Sequence, residues 1–218
     1  MIASKLVELL STPFGLFTGP TFRQGIFPQS FFLSPVSSRD ILDQLRSLKI
    51  GKSVGLDDIS PGFLKDGASI IAGPIAHIIN LSITSETVPS SFKDARVSPI
   101  FKKGGRLDPG NYRPVSVLNV LSKILERTVH RQLSHYLEQK GILFGFQSGF
   151  RAKFSTDTCL SNLTDYIRSE ISNGKVVGMV MIDLRKAFDT VDFDILLSKL
   201  KAMGIRNVDK VEYPRAVF

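Results

Sequence analysis

The sequence predicts an α+β fold built mostly of capped amphipathic helices, with β structure in one hairpin and one buried strand. Three observations predict it. Apolar residues recur at helical spacing in a succession of segments with recognisable starts and stops. Two short β-branched runs flank a stretch dense in turn residues, 104–111. Residues 176–182 form a near-continuous apolar run, the pattern of a strand covered on both faces.

A chain of 218 residues makes one large domain or two small ones, and 43% apolar with 22% charged residues excludes wholesale disorder. The single cysteine, Cys159, excludes an intramolecular disulfide and a cysteine-rich zinc site, and is expected as a small core residue. No run of about 18 apolar residues offers a membrane span. The opening MIASKLVELLSTPFG makes a poor signal peptide, with one Lys and an apolar run broken by Glu8. The expectation is an intracellular soluble protein. Charge is uneven: the segments 1–90 and 154–218 are each neutral, and 91–153 holds twelve Lys/Arg against four Asp/Glu, the whole of the +8. Such a block indicates a local polyanion site, against the plainer alternative of a solvated face.

Residues 1–36 carry six of the sixteen Phe and four Pro, a mixture suited to an extended segment pinned by aromatic anchors. Ser37 and Asp40 form a capping box for a first helix whose face is Ile41, Leu42, Leu45 and Leu48, stopped by Gly51. Asp57 and Asp58, the one adjacent carboxylate pair, fit turn chemistry ahead of a short helix at 61–66 better than a metal site. A helix is expected over 73–85, with Pro74 at its first position, Ile75, Ile78, Ile79 and Ile83 inward and His77 off that face. Strands follow over 93–103 and 112–118. Pro99 and Pro114 place both at an edge, and the ribbon projects Lys102, Lys103, Arg106 and Arg113.

A long helix spans about 117–139, stopped by Gly141, with Lys123, Arg127, His130 and Arg131 off its apolar stripe. Residues 144–158 interleave Phe144, Phe146, Phe150 and Phe154 with Gln147, Arg151 and Lys153. That pattern suits base stacking and phosphate contact, although by itself it favours a strand entering the core. A helix over 156–172 turns Leu160, Leu163 and Ile167 inward, and a last helix over 192–203 closes at Gly204. Between them the apolar strand ends in Asp183, followed by Phe188, Asp189 and Asp192. A carboxylate at the open end of a buried strand needs a cation or a donor. The local pattern leaves open a metal ligand or a cap for the next turn.

In order along the chain, GKSVGLDDISPGFLKDG (51–67), NYRPVS, SKILER, QSGFR and DLRKAFDTVD resemble the reverse transcriptase of non-LTR, LINE-type (jockey-like) retrotransposons, over about residues 36–205. The resemblance implies a right-hand polymerase: an irregular 1–36, fingers over 37–174, an incomplete palm over 175–205 and a divergent tail over 206–218. It implies that Asp183 is the first palm aspartate, a ligand of Mg²⁺, with the Leu184 carbonyl beside it. Phe188 would lie under the incoming sugar and select deoxynucleotides. Arg113, with Lys102 or Lys103, would grip the triphosphate, and Gln147, Gly149, Phe150 and Arg151 would lie along template and nucleotide. The implied partners are an RNA template, a DNA primer and dNTPs, with no membrane. The implied location is nuclear or cytoplasmic, and no oligomeric state is implied.

The departures bear on activity. Phe92 stands where the family usually has Trp, and Phe154 where it has His. The family's later palm hairpin with two adjacent aspartates has no match in the 35 residues after Asp183. The expectation is a reverse transcriptase fragment that is inactive alone. The alternative is a non-catalytic nucleic-acid-binding module using the basic 91–153 block.

Overall fold

The computed structural model describes residues 30–184, 190–206 and 215–217. It is a mixed helix and sheet protein whose described residues fall into two compact units. The first comprises Phe32–Leu133 with Arg215–Val217, the second residues 30–31 with Ser134–Arg206.

In the first unit, helix α1 (Ser38–Arg46) begins at the expected capping box. The Ser37 hydroxyl accepts from the Asp40 N–H, and the Asp40 carboxylate accepts from the Ser37 N–H. Its face buries Ile41 and Leu45 completely. The helix ends at Arg46 with Ser47 as its cap, ahead of Gly51, which instead serves the following turn at φ 82°. Helix α2 (Pro61–Asp66) is capped by Ser60 and starts on proline. Helix α3 (Ala68–Thr84) starts five residues earlier than the sequence predicts, so Pro74 lies inside it. Pro74 is on the exposed side, where water can take up the carbonyl that a proline leaves unbonded. The buried side of α3 shows Ala68, Ala72 and Ala76 beside Ile75 and Ile79, small residues that let α1 approach closely.

After a short turn, α4 (Ser90–Lys93), come strand β1 (Asp94–Phe101), a 3-10 turn (Pro109–Asn111) and strand β2 (Tyr112–Leu118). The two strands pair antiparallel from Ala95↔Leu118 to Phe101↔Tyr112, with Pro99 opposite Pro114. The hairpin matches the sequence expectation, but only β2 is an edge throughout. β3 (Arg215–Val217) pairs parallel with Asp94–Arg96, so β1 is central over its first three residues. Pro99 lies beyond that pairing, where its missing N–H costs nothing to β3. Helix α5 (Val120–Gln139) starts three residues later than expected, because Val117 and Leu118 still belong to β2. Its first turns complete this unit's core with Val120, Ile124, Leu125 and Val129.

The irregular segment entering α1 is held by side-chain amides. Asn80 accepts from the Val36 N–H (2.7 Å) and donates to the Val36 carbonyl (2.9 Å). Gln132 does the same for Ser34 (2.8 and 2.9 Å). Each amide replaces the strand partner that this backbone lacks. Asn119, between β2 and α5, is a third such joint. Its oxygen accepts from the Leu56 N–H (3.1 Å), and its nitrogen donates to the Ser91 carbonyl (3.2 Å). Gly55 sits so close that a Cβ there would come within 2.7 and 2.8 Å of the Asn119 backbone N and Cα.

In the second unit α5 ends at Gln139, and Gly141 follows at φ 60°. Helices α6 (Thr156–Ser172) and α7 (Phe193–Ala202) match the sequence expectation, with a Ser155/Thr158 capping box and an Asp192 cap. The buried residues here are Tyr136, Leu137, Leu196, Leu200, Met203 and Ile205. The Tyr136 hydroxyl donates to the Met203 carbonyl (2.8 Å), and burial pushes its pKa up. Phe31 lays its ring on Tyr136 (5.0 Å between centroids) and its N–H on the Gly204 carbonyl. It is the one described anchor from the Phe-rich segment; residues 1–29 lie outside the described residues.

Three expectations fail in this unit. Cys159 is exposed, because α6 buries no residue at all: Leu160 is exposed, and Leu163 and Ile167 are only half-buried. The rings of Phe144, Phe146, Phe150 and Phe154 stay at the surface, since 140–155 is a run of turns rather than a strand. The buried strand over 176–182 is absent: 175–184 has neither helix nor strand, and Val176 is 99% exposed. A strand exists only by pairing its backbone, and no described segment pairs with this one.

Two outcomes follow for this fold. Gly55→Ala forces backbone apart at Asn119, and Asn119→Ala orphans the Leu56 N–H and the Ser91 carbonyl. Each should destabilise the chain by about 1–3 kcal/mol in urea unfolding, with the pair less than additive. A loss of a few tenths for either would remove the joint from this account. The second outcome concerns acid. The Asp40 carboxyl is held below the usual aspartate range by the Ser37 hydroxyl first, then the Ser37 backbone N–H and the Arg131 guanidinium. A group with a depressed folded pKa adds stability above its unfolded pKa and loses it as pH falls through the folded value. Urea midpoints should therefore drop with acid below the ordinary aspartate range, and Asp40→Asn should flatten that limb.

Candidate nucleic-acid interface

The basic block resolves into three parts. The first is the hairpin. It is rooted by the buried pair Ala95 and Leu118 and becomes exposed toward its tip, from Pro99 and Ile100 to Phe101. Beyond β1, Lys102 donates its N–H to the Asn111 carbonyl (2.8 Å), which closes the ribbon around the turn. The Asp108 carboxylate is used inside that turn, accepting from the Gly110 N–H at 2.8 Å. Tyr112 donates to the Arg106 carbonyl (2.8 Å) and stacks on Phe101 (5.4 Å). The Arg106 guanidinium lies over the same Phe101 ring at 5.6 Å. Lys102, Lys103, Arg106 and Arg113 are all exposed, and among the described residues none is paired with a carboxylate. Four cations on one ribbon with no carboxylate partner among the described residues create a local positive potential that attracts anions.

The second part, on α5, is engaged in the fold. Arg131 pairs with Asp40 (3.2 Å), and Arg127 donates to the Ser47 hydroxyl (3.3 Å). Lys123 is half-buried, and desolvation lowers its pKa against the pull of Glu126 and Asp57. Asp57 and Asp58 follow the turn expectation. Asp57 accepts from the Ile59 N–H (3.3 Å), and Asp58, at φ 52°, pairs with Arg96 (3.0 Å).

The third part is the QSGFR loop in the second unit. Arg151 is its centre. The guanidinium grips both carboxylate oxygens of Glu138 (2.9 and 2.7 Å), donates to the carbonyls of Phe144 (3.0 Å) and Gln147 (3.2 Å), and covers the Phe154 ring at 4.4 Å. These hydrogen bonds hold the Glu138 carboxyl below the usual glutamate range. Gln147 is half-buried, while Gly149 and Phe150 are exposed, Phe150 at φ 60°. Glu138 carries no mark in the sequence beyond its place on a helix. Its partner is found only by folding, as is the three-way joint at Asn119.

The remaining predicted residues are not gathered into a site. Asp183 and Leu184 lie in the second unit on exposed, irregular chain, and Phe188 falls outside the described residues. Among the described residues no three His, Cys, Asp or Glu side chains come together as a metal site. No described helix is long and apolar enough to cross a membrane.

The family model described as reverse transcriptase (RNA-dependent DNA polymerase) matches residues 100–215. The chain is 31% identical over 172 residues to the probable RNA-directed DNA polymerase from transposon BS of Drosophila melanogaster, covering 78% of this chain and 19% of that protein. It is 28% identical over 181 residues to the RNA-directed DNA polymerase from mobile element jockey of Drosophila melanogaster (81% and 19%). It is 30% identical over 129 residues to the Retrovirus-related Pol polyprotein from type-1 retrotransposable element R2 of Popillia japonica (59% and 18%). The chain thus spans about a fifth of the length of these curated relatives.

The hairpin geometry makes a measurable statement. Each phosphate neutralised contributes roughly 0.7 to 0.9 to the slope of log affinity against log salt. Replacing Lys102, Lys103 and Arg113 by Ala should flatten that slope for a single-stranded oligonucleotide by about 2, read by fluorescence anisotropy. An unchanged slope would move the phosphate contacts off the hairpin.

Proposed function

The chain belongs to the reverse transcriptase (RNA-dependent DNA polymerase) family, and from that membership we propose that it is the fingers and opening palm portion of an RNA-directed DNA polymerase of a non-LTR retrotransposon. The observation that carries the proposal is the hairpin. Its exposed cations lie on a ribbon rooted in the core, and the resemblance assigns the grip on the nucleotide's phosphates to Arg113 with Lys102 or Lys103 among them. Phosphoryl transfer leaves little covalent work for a protein and depends on positioning and charge neutralisation. Arg113 suits this through its planar fork, which meets two phosphate oxygens at once. Lys102 and Lys103 act as point charges on the same group. Gln147, Gly149 and Phe150 are the template-side contacts in this reading, and Phe188 the residue beneath the sugar.

Reverse transcriptases generally use divalent metal ions, and Asp183 is the ligand this reading assigns, with the Leu184 carbonyl next to it. The described residues do not build such a centre. No three His, Cys, Asp or Glu side chains gather there, and the one adjacent Asp pair, Asp57–Asp58, belongs to a turn of the first unit. Mg²⁺ holds its waters where carboxylates are few. The exposed hairpin cations also fit a second reading, a non-catalytic nucleic-acid-binding module that uses the basic 91–153 block.

With a primed RNA template, dNTPs and Mg²⁺, the 218-residue chain by itself should retard the template in a gel and extend no primer. Failure to bind the primed template would overturn the nucleic-acid reading. Template-dependent extension that disappears in Asp183→Ala would overturn the expected inactivity.

A further inference from the structure

We propose that Glu138 and Arg151 form a lock that presents the Phe144–Phe146 ring pair as a stacking platform for the unpaired bases of a single-stranded nucleic acid. The inference rests on the nucleic-acid reading above. The guanidinium spends four N–H donors inside the protein: one on each Glu138 oxygen, one on the Phe144 carbonyl and one on the Gln147 carbonyl. Its charge is cancelled by Glu138, its face is covered by Phe154, and its side chain is 11% exposed. An arginine used this way has little left for a phosphate. It acts through the loop, as a positioning residue.

What the lock positions is specific. The Phe144 carbonyl is held twice, by Arg151 and by the Gln147 N–H at 3.0 Å. The ring of Phe144 packs against that of Phe146, with centroids 5.7 Å apart at 55°. Phe146 is 78% exposed and Phe144 41%. Two rings held at the surface by an ion pair whose arginine is nearly buried are an ordered apolar face, and charge identifies what it takes. With the charges of Glu138 and Arg151 spent on each other, the stretch 139–156 is left with Lys140 and Lys153 and no other ionisable charge, a net positive segment. A π-faced ligand with a polyanionic backbone satisfies both the rings and the cations.

The two roles for Arg151 predict opposite signs for Glu138. If Arg151 contacts phosphate, Glu138→Ala frees a cation, removes an anion and tightens binding. If the pair is a lock, Glu138→Ala releases the platform and weakens binding. The test uses the 218-residue chain with a labelled single-stranded oligonucleotide, titrated at several salt concentrations, and a 2-aminopurine probe for stacking. Glu138→Ala and Arg151→Ala should each weaken binding by roughly five- to 100-fold, the loss of one stacked base. The double variant should bind no more weakly than either single one, with the salt slope unchanged and the 2-aminopurine quenching lost. Phe146→Ala, at an exposed ring, should reproduce the loss with the fold intact by circular dichroism, which keeps the test decisive if the Glu138 variant unfolds. Equal or tighter binding by folded Glu138→Ala, a slope reduced by about 0.7 in Arg151→Ala, or full affinity in Phe146→Ala would overturn the lock while leaving the nucleic-acid reading in place. An unmutated chain that binds no oligonucleotide would overturn that reading and the lock with it.

Discussion

The side-chain amide of Asn119 sits buried where strand β2 gives way to helix α5, and it answers two backbone groups from different segments through part-buried hydrogen bonds. One belongs to the loop after Gly55, the other to Ser91 at the start of the hairpin. A buried amide that satisfies a donor and an acceptor at once is worth more than either bond in isolation, because removing it leaves both partners desolvated and unpaired. The cationic ribbon is therefore rooted in something that does not yield. Gly55 completes the arrangement by having no side chain to hold the loop away.

The same device recurs wherever the chain leaves regular structure. Asn80 and Gln132 read the backbone of Val36 and Ser34 as a neighbouring strand would. Arg151 closes on the carbonyls of its own loop. In each case a polar side chain fixes an irregular segment by hydrogen-bonding its backbone. Cations on α5 show the opposite use: Arg127 and Arg131 are drawn into the packing of α1. Within one basic block some charges hold the fold and others remain free to meet phosphate.

The stretch around Asp183 marks the limit of what these residues stabilise by themselves. It is apolar, β-branched and exposed, and α6 before it buries nothing. Apolar area left in water forgoes roughly 25 cal/mol per Å², and an unpaired strand also leaves its backbone groups to solvent.

Local chemistry was legible in the sequence. The capping box at Ser37 and Asp40, the last helix near 192–203, the α6 boundaries and the proline-marked hairpin follow from contacts spanning a few residues. The family was legible too, because it is written as ordered motifs. The failures share one cause. Burial of Cys159, of the four Phe rings and of 176–182 required partners distant in the sequence, and composition shows only that a residue can be buried. Pro74 inside α3 is the same lesson in reverse: solvent on one side of a helix tolerates what the local pattern forbids. That Arg151 answers Glu138, and that Asn119 joins Leu56 to Ser91, depends on approach through space across 13, 63 and 28 residues. Only tertiary structure decides such distances, because hydrogen bonds act over about 3 Å and sequence separation says nothing about which groups come that close.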